Sequence, residues 1–161
     1  MRTGVLLLNF GEPEHPVMEE VVPFLERIFL MNAGLQAVEM DVRRRARELA
    51  EQRAPGLIEE YEAIGGSPLH AQATRQAEML EEVLREAGHD VVVLVGNQFT
   101  EPSIAGAAAA ARETGAEALV GLPVYPLSGP STNVAALAEL REAVAELGWD
   151  VPLHGITGWH R

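Results

Sequence analysis

Val5-Leu6-Leu7-Leu8-Asn9-Phe10-Gly11-Glu12-Pro13-Glu14 decides the fold, because a short apolar run here ends in a polar residue, an aromatic residue and a glycine. Such a run is typical of a strand that is buried on both faces of a parallel sheet. Gly11 permits a tight exit, and Pro13 delays the next helix. Ligands of open α/β sheets bind where strands end, so Asn9 and Phe10 are candidate site residues. A buried strand followed by an ordinary turn is the alternative interpretation.

Length and composition indicate a folded chain with a core of its own. The 161 residues are 47% hydrophobic with a mean hydropathy of +0.03, which suits one domain. No apolar run approaches the length of a transmembrane helix, and the amino terminus lacks the pattern of a signal peptide. We therefore expect a single cytoplasmic domain over residues 1–161 without a transmembrane segment.

Charge and cysteine content exclude several classes of function. The chain has no cysteine, which excludes disulfides, thiolate zinc sites and a cluster held by its own thiolates. Its 24 acidic and 12 basic residues give a net charge of −12. Nonspecific nucleic-acid binding relies on basic surface, so no nucleic-acid partner is expected. The acidic surface is compatible with handling of metal cations.

Apolar runs alternate with helical patterns along the rest of the chain. We predict helices over Val17–Met31, Leu35–Arg53, Leu57–Ile64, Leu69–Ala87, Ser103–Thr114, and from Ser131 or Thr132 to Leu147. After the first strand, we predict further strands over Val91–Val95, Ala118–Pro123 and Val151–Ile156. The predicted breaks include Asn32-Ala33-Gly34 and Pro55. The alternation indicates an α/β fold, Rossmann-like, with a four-stranded parallel sheet in three α/β/α layers. We expect the long helical insert after the first strand to fold over the carboxyl edge as a lid or wall.

Four arginines crowd into one predicted helix. They are Arg43, Arg44, Arg45 and Arg47. The favoured interpretation is a solvated face paired with nearby glutamates. A contact with an anionic ligand or partner is the alternative.

Polar and aromatic residues converge on a predicted rim at the carboxyl edge of the sheet. The strand-end loops supply Asn9, Phe10, Asn97, Gln98, Phe99, Tyr125, Ser128 and Ser131, and the insert adds Arg53, Tyr61 and Ser67. Aromatic, amide, hydroxyl and guanidinium groups around a cleft suit a flat, partly apolar ligand that bears carboxylates. Alternatively, Tyr61 and Phe99 are core residues and Ser67 only caps a helix.

Familiar catalytic and metal-binding motifs are absent from the sequence. There is no GxGxxG, Walker-type or HExxH motif, and no GxSxG. The five histidines show no regular ligand spacing, so we predict no metal site and assign no catalytic residue.

Two blocks of the sequence resemble ferrochelatases. The opening VLLLNFGEPE is similar to the start of that family. The more specific block is Arg53-Ala54-Pro55 followed by Tyr61-Glu62-Ala63-Ile64-Gly65-Gly66-Ser67-Pro68-Leu69. Gln76, Val95-Gly96, Glu101-Pro102, Tyr125-Pro126 and Ser131-Thr132 follow in the family's order.

The resemblance implies insertion of Fe²⁺ into a porphyrin, protoporphyrin or coproporphyrin, in haem biosynthesis. Fe²⁺ and porphyrin are then substrates, and the chain itself binds no cofactor. Arg53 is implied to pair with a propionate, Tyr61 to lie at the macrocycle edge and Ser67 to donate a hydrogen bond. The resemblance implies that Phe10 can wall the porphyrin but cannot ligate its metal. The rim argument adds the strand-end residues Phe99 and Tyr125 to the predicted substrate-binding residues.

The chain departs from the family in ways that bear on activity. Family members have two similar halves, and this sequence resembles only the first, with Trp159 similar to the tryptophan at the junction. The second block is one residue short between Gly66 and Ser67, and Gln98 and Phe99 replace basic or hydroxylated residues. The family's catalytic histidine and glutamate lie in the second half, so we expect a second lobe or a homodimer partner. The alternatives are a half-sized homodimeric chelatase for sirohydrochlorin or cobalt, and a non-catalytic tetrapyrrole-binding module.

Overall fold

The computed structural model describes residues 1–34, 41–125 and 128–158. Two compact units are present: a sheet unit, Met1–Gly11 with His70–Arg161, and a helical unit, Glu12–Leu69. The elements in chain order are β1 (Thr3–Asn9), α1 (Met18–Gly34), α2 (Asp41–Ala63), α3 (Leu69–Glu86), β2 (Val91–Asn97), α4 (Ile104–Glu113), β3 (Ala118–Pro123), α5 (Asn133–Glu146) and β4 (Leu153–Gly155). The expectation of a single domain stays a prediction.

The sheet unit contains the predicted four-stranded parallel sheet, with the order β2-β1-β3-β4. Alternate residues of β1 point to opposite faces. Leu6 and Leu8 pack with α4 and α5 on one face, whereas Val5 and Leu7 pack with Ala77 of α3 on the other. This arrangement confirms the three layers. The alanines of α4, which are buried at 107, 108 and 111, bring that helix close to the sheet as predicted.

The carboxyl edge of the sheet is held together beyond the regular strand pairs. Asn9 is in register with Asn97, and the backbone N–H of Gln98 donates to the Asn9 carbonyl at 3.0 Å. Phe99 N–H donates in the same way to Phe10 O at 3.1 Å. Gly11 follows with φ +85°, a left-handed conformation that glycine adopts without strain. The loops after β1 and β2 therefore form one connected rim.

Two predicted helix breaks in the helical unit are wrong. Helix α1 runs through Asn32 and Ala33 to Gly34, and α2 continues through Pro55 to Ala63. A proline inside a helix removes one backbone hydrogen bond. The buried Ala46, Ala50 and Ala54, spaced four residues apart, pack on the amino-terminal side of Pro55, and the helix continues beyond the proline to Ala63. The predicted start of this helix at Leu35 lies outside the described residues.

Other boundaries differ by smaller amounts. Strand β2 extends to Asn97, and β4 is shorter than the predicted Val151–Ile156. Ser103 caps α4 through its hydroxyl, which accepts from Gly106 N–H. Thr132 occupies the cap position of α5 without a side-chain cap bond, because its hydroxyl bonds to Gly129 O and Asn133 Oδ1. No described helix is long and apolar enough to cross a membrane.

Candidate functional site

An aromatic pair lies at the carboxyl edge of β1 and β2. The ring centroids of Phe10 and Phe99 are 4.6 Å apart, with ring planes inclined by 57°. Tilted pairs at this distance are favoured because the edge of one ring meets the face of the other. Phe99 is only 3% exposed, whereas Phe10 is half-buried. Phe99 is therefore core, as the alternative interpretation held, and Phe10 supplies the accessible aromatic surface.

A chain of polar side chains lies beside this pair. The Tyr125 hydroxyl donates to Gln98 Oε1, and the Gln98 amide bonds to the carboxyl group of Glu139 on α5. Burial raises the pKa of Glu139 to about 7, with a further contribution from the nearby Glu142 carboxylate. Burial, and to a lesser extent Glu139, also raises the pKa of Tyr125. The loops after β2 and β3 are thus joined directly by the Tyr125–Gln98 hydrogen bond, and the Gln98–Glu139 hydrogen bond connects them to α5.

Asn9 contributes a buried donor to the same edge. Its side chain is 4% exposed, and its Nδ2 has no hydrogen-bond partner among the described residues. The neighbouring Asn97 is satisfied, since its Nδ2 donates to Glu101 O at 3.1 Å. A buried amide without a partner is costly and is uncommon away from functional sites. Asn9 therefore remains a candidate site residue.

The predicted ligand arginine of the helical unit already has an anionic partner. One Nη of Arg53 lies 2.9 Å from both carboxylate oxygens of Glu60, which is seven residues or about two turns further along α2. The Arg53 side chain is 44% exposed, so this pair is screened by water. A carboxylate ligand can compete for the guanidinium at low energetic cost.

The Tyr-x-x-Ile-Gly-Gly-Ser-Pro block forms the stop of one helix and the start of the next. Gly66 N–H donates to Tyr61 O and Gly65 N–H to Glu62 O, which is the Schellman arrangement, with Gly65 at φ +76°. The Ser67 hydroxyl accepts from Leu69 N–H at 3.4 Å, so its helix-capping role is present. Tyr61 is half-buried, and burial followed by the Glu12 carboxylate raises its pKa.

The arginine cluster is a solvated face, as predicted. Arg44 pairs with Asp41 at 2.9 Å, Arg45 with Glu48 at 3.7 Å, and Arg47 with Glu51 at 2.7 Å and with Glu26 at 3.3 Å.

His15 is an exposed histidine paired with Glu20 at 2.8 Å. Within the described ranges, no group of three or more histidines and carboxylates could hold a metal ion. His160 and Trp159 lie outside those ranges.

The predicted site residues fall into two groups. Phe10 and Phe99 are in contact, and Tyr125 is joined to them through Gln98. Arg53, Tyr61 and Ser67 belong to the helical unit. A common cavity for both groups stays a prediction.

Glu139 was not predicted as a site residue. It lies three residues after Ala136 and four before Ala143, both of which are buried. An acid on the core-facing stripe of an amphipathic helix is a sequence signal that could have found it.

Comparisons with known proteins place the chain in one family. The Ferrochelatase family model matches residues 2–161. The chain is 32% identical to a protein named Ferrochelatase from Synechococcus sp. (strain RCC307), with 99% of this chain and 42% of that protein covered. It is 36% identical to a Ferrochelatase of Gloeothece citriformis (strain PCC 7424), with 88% and 36% covered, and 31% identical to one of Citrifermentans bemidjiense, with 91% and 45% covered. The chain thus spans about two fifths of the length of these relatives. On the match over residues 2–161, the chain belongs to the ferrochelatase family.

Proposed function

We propose that this chain is the amino-terminal lobe of a porphyrin metal chelatase, which inserts Fe²⁺ into protoporphyrin or coproporphyrin in haem biosynthesis. The observation that carries the proposal is the extent of the family match. Residues 2–161 match one family, and the chain covers 36% to 45% of relatives that are named Ferrochelatase. That share is what one of two similar lobes would cover.

The sheet unit supplies an apolar wall for a flat ring in this proposal. Phe10 presents an accessible ring and is held from behind by the buried Phe99. Aromatic side chains favour stacked or tilted contact with another π-system. The half-buried Tyr125 hydroxyl and the unpartnered Nδ2 of Asn9 add hydrogen-bonding groups at the same edge. Concave sites for small molecules combine such apolar walls with a few polar groups.

In this proposal the helical unit supplies a positive charge that binds a porphyrin propionate. Arg53 exchanges its exposed partner Glu60 for a porphyrin propionate, since a guanidinium binds carboxylates through parallel N–H donors. Tyr61 and Ser67 are proposed to lie at the edge of the ring. The base that accepts the pyrrole protons is proposed to reside on a second lobe or on a homodimer partner. A cytoplasmic location is part of the same proposal.

The test measures metal insertion by the chain alone, by the carboxyl-terminal half of the Synechococcus relative alone, and by their mixture. Fe²⁺ or Zn²⁺ is added with coproporphyrin or protoporphyrin, and the Soret band is followed. We expect turnover only in the mixture. Turnover by this chain alone points to a half-sized homodimeric chelatase, and a Soret shift without turnover points to a tetrapyrrole-binding module. Absence of any Soret shift overturns the proposal.

A further inference from the structure

Glu139, Gln98 and Tyr125 form a hydrogen-bonded chain whose direction depends on the carboxyl group at one end. An ionised carboxylate is only an acceptor, so the Gln98 amide nitrogen has to face Glu139. The Gln98 carbonyl oxygen then faces Tyr125, whose hydroxyl has to donate to it, and this is the arrangement observed. In this state the Tyr125 proton is directed into the protein.

A proton taken up from water by Glu139 would reverse the chain. The protonated carboxyl group donates to the Gln98 carbonyl after the amide has turned over, and the amide nitrogen then donates to the Tyr125 oxygen. The Tyr125 O–H is released and can donate to another acceptor. The hydroxyl belongs to a side chain that packs on the α4–α5 core, so the ring itself stays in place.

The surroundings of Glu139 place this event near neutral pH. The carboxyl group is half-buried, and Glu142 on the same helix opposes its ionisation. Strands β1 and β3, which pack on α5, carry no ionisable side chain. Arg112 of α4 donates to Leu147 O just beyond the carboxyl end of α5. Among the described residues, Gln98 and Tyr125 also interact with Glu139.

We propose that Glu139 is a positioning residue that, through Gln98, controls whether the Tyr125 hydroxyl is offered to an acceptor group of a bound ligand. The ligand class is a carboxylate-bearing ring, and this part of the inference rests on the proposed function. Binding of such a ligand at Tyr125 favours the protonated state of Glu139. Affinity therefore rises as the pH falls through the titration of Glu139, and binding is accompanied by proton uptake.

The first experiment needs no ligand. The chain contains two tyrosines, so the protein labelled with ¹³C at the tyrosine Cζ gives two signals, which Tyr125→Phe assigns. We expect the Tyr125 signal to titrate with a midpoint near pH 7 and to stop doing so in Glu139→Gln. Glu142→Gln is the matched control, and in it the titration persists at a lower midpoint. A Tyr125 signal that is unchanged between pH 5 and 9 overturns the inference.

The second experiment titrates coproporphyrin at pH 6 and pH 8, followed by the Soret band. In Tyr125→Phe, the ratio of the affinities at pH 6 and pH 8 reports the titration of the porphyrin itself. In the natural chain this ratio should be about fivefold larger, which corresponds to the net contribution of one hydrogen bond. Glu139→Gln should match Tyr125→Phe. An undiminished pH effect in Glu139→Gln overturns the inference. If no variant binds porphyrin, the proposed function fails, while titration of the Tyr125 signal still supports the proton-controlled chain.

Discussion

Gly11 lies against the side chain of Asn97 at the point where the chain leaves the sheet. A Cβ atom placed on Gly11 would be 2.9 Å from the Cβ of Asn97 and would also collide with the Thr100 hydroxyl. Real Cβ atoms do not approach other carbons this closely. The exit from β1 therefore requires glycine at position 11 for two reasons, its φ of +85° and the lack of space for a side chain.

Replacement of Gly11 should lower the free energy of unfolding much more than replacement of a glycine that has a similar φ but open space around its Cβ position. Gly88 has φ +89° with nothing within 4 Å of its Cβ position. We expect Gly88→Ala to lower the free energy of unfolding by about 1 kcal/mol and Gly11→Ala by about 3 kcal/mol. Urea denaturation of both variants checks this. Equal losses would show that Asn97 and Thr100 move aside without cost.

The two rings of the aromatic pair should differ in what they contribute. Phe99 is 3% exposed, so Phe99→Ala should lower the free energy of unfolding by about 3–5 kcal/mol. Phe10 is half-buried, and Phe10→Ala should have less than half of that effect while weakening porphyrin binding. Denaturation and Soret titration of the two variants give the comparison. A larger loss of stability in Phe10→Ala would contradict the assignment of Phe10 to the accessible wall.

The layers of the sheet unit could be predicted from the sequence, whereas the length of α2 could not. Val5 to Leu8 are uniformly apolar, and such a run identifies a strand buried on both faces. Local rules predict a break at Pro55 because they count the lost backbone hydrogen bond. Helix α2 nevertheless continues through Pro55 to Ala63, and the burial of Ala46, Ala50 and Ala54 ahead of the proline is a tertiary effect that local rules do not include.

The candidate site was predictable to the extent that its residues follow strands. The sequence predicts that Phe10, Phe99 and Tyr125 lie close together, because the carboxyl ends of parallel strands meet at one edge, and the Phe10–Phe99 and Tyr125–Gln98 contacts agree with that placement. Their role in substrate binding stays a prediction. Glu139 comes from the middle of a helix, and only the packing of α5 brings its carboxyl group to Gln98. The pairing of Arg53 with Glu60 is likewise not predicted when a break is placed at Pro55, because both residues lie on one continuous helix.

Release of Arg53 from its partner should strengthen the binding of a propionate. Arg53→Ala should weaken coproporphyrin binding about fivefold or more, whereas Glu60→Gln should strengthen it about twofold, because the guanidinium no longer has to exchange partners. Both changes should alter the free energy of unfolding by less than about 1 kcal/mol, since the pair is exposed. Soret titrations at low and high salt provide the measurement. Weaker binding in Glu60→Gln would exclude Arg53 as a direct ligand.

The His15–Glu20 pair should stabilise the protein only within a pH window. The hydrogen bond with Glu20 raises the pKa of His15 above 6.5, and the contacts with His15 lower the pKa of Glu20 below 4.5. The histidine's contribution is complete below pH 6.5 and is lost as the pH rises through its folded pKa. That of the glutamate is complete above pH 4.5 and is lost as the pH falls.

Nuclear magnetic resonance titration of the His15 ring checks this assignment. In Glu20→Gln the pKa of His15 should return toward 6.5, whereas the adjacent Glu19→Gln should have little effect. An unchanged pKa of His15 in Glu20→Gln would mean that the contact does not form in solution.

Glu139 should make the folded state less stable as the pH rises. Its pKa is about 7 in the folded protein and near 4.5 in the unfolded chain, so the folded state binds the proton more tightly. The free energy of unfolding should therefore fall from about pH 4.5 and level off above pH 7. Glu139→Gln keeps the shape and removes the ionisation, so its stability relative to the natural chain should increase between pH 5 and pH 8. Because His15 loses its contribution over part of the same range in both proteins, the difference between them isolates Glu139. Parallel pH profiles of the two proteins in urea denaturation would show that the carboxyl group is not desolvated by α5 packing.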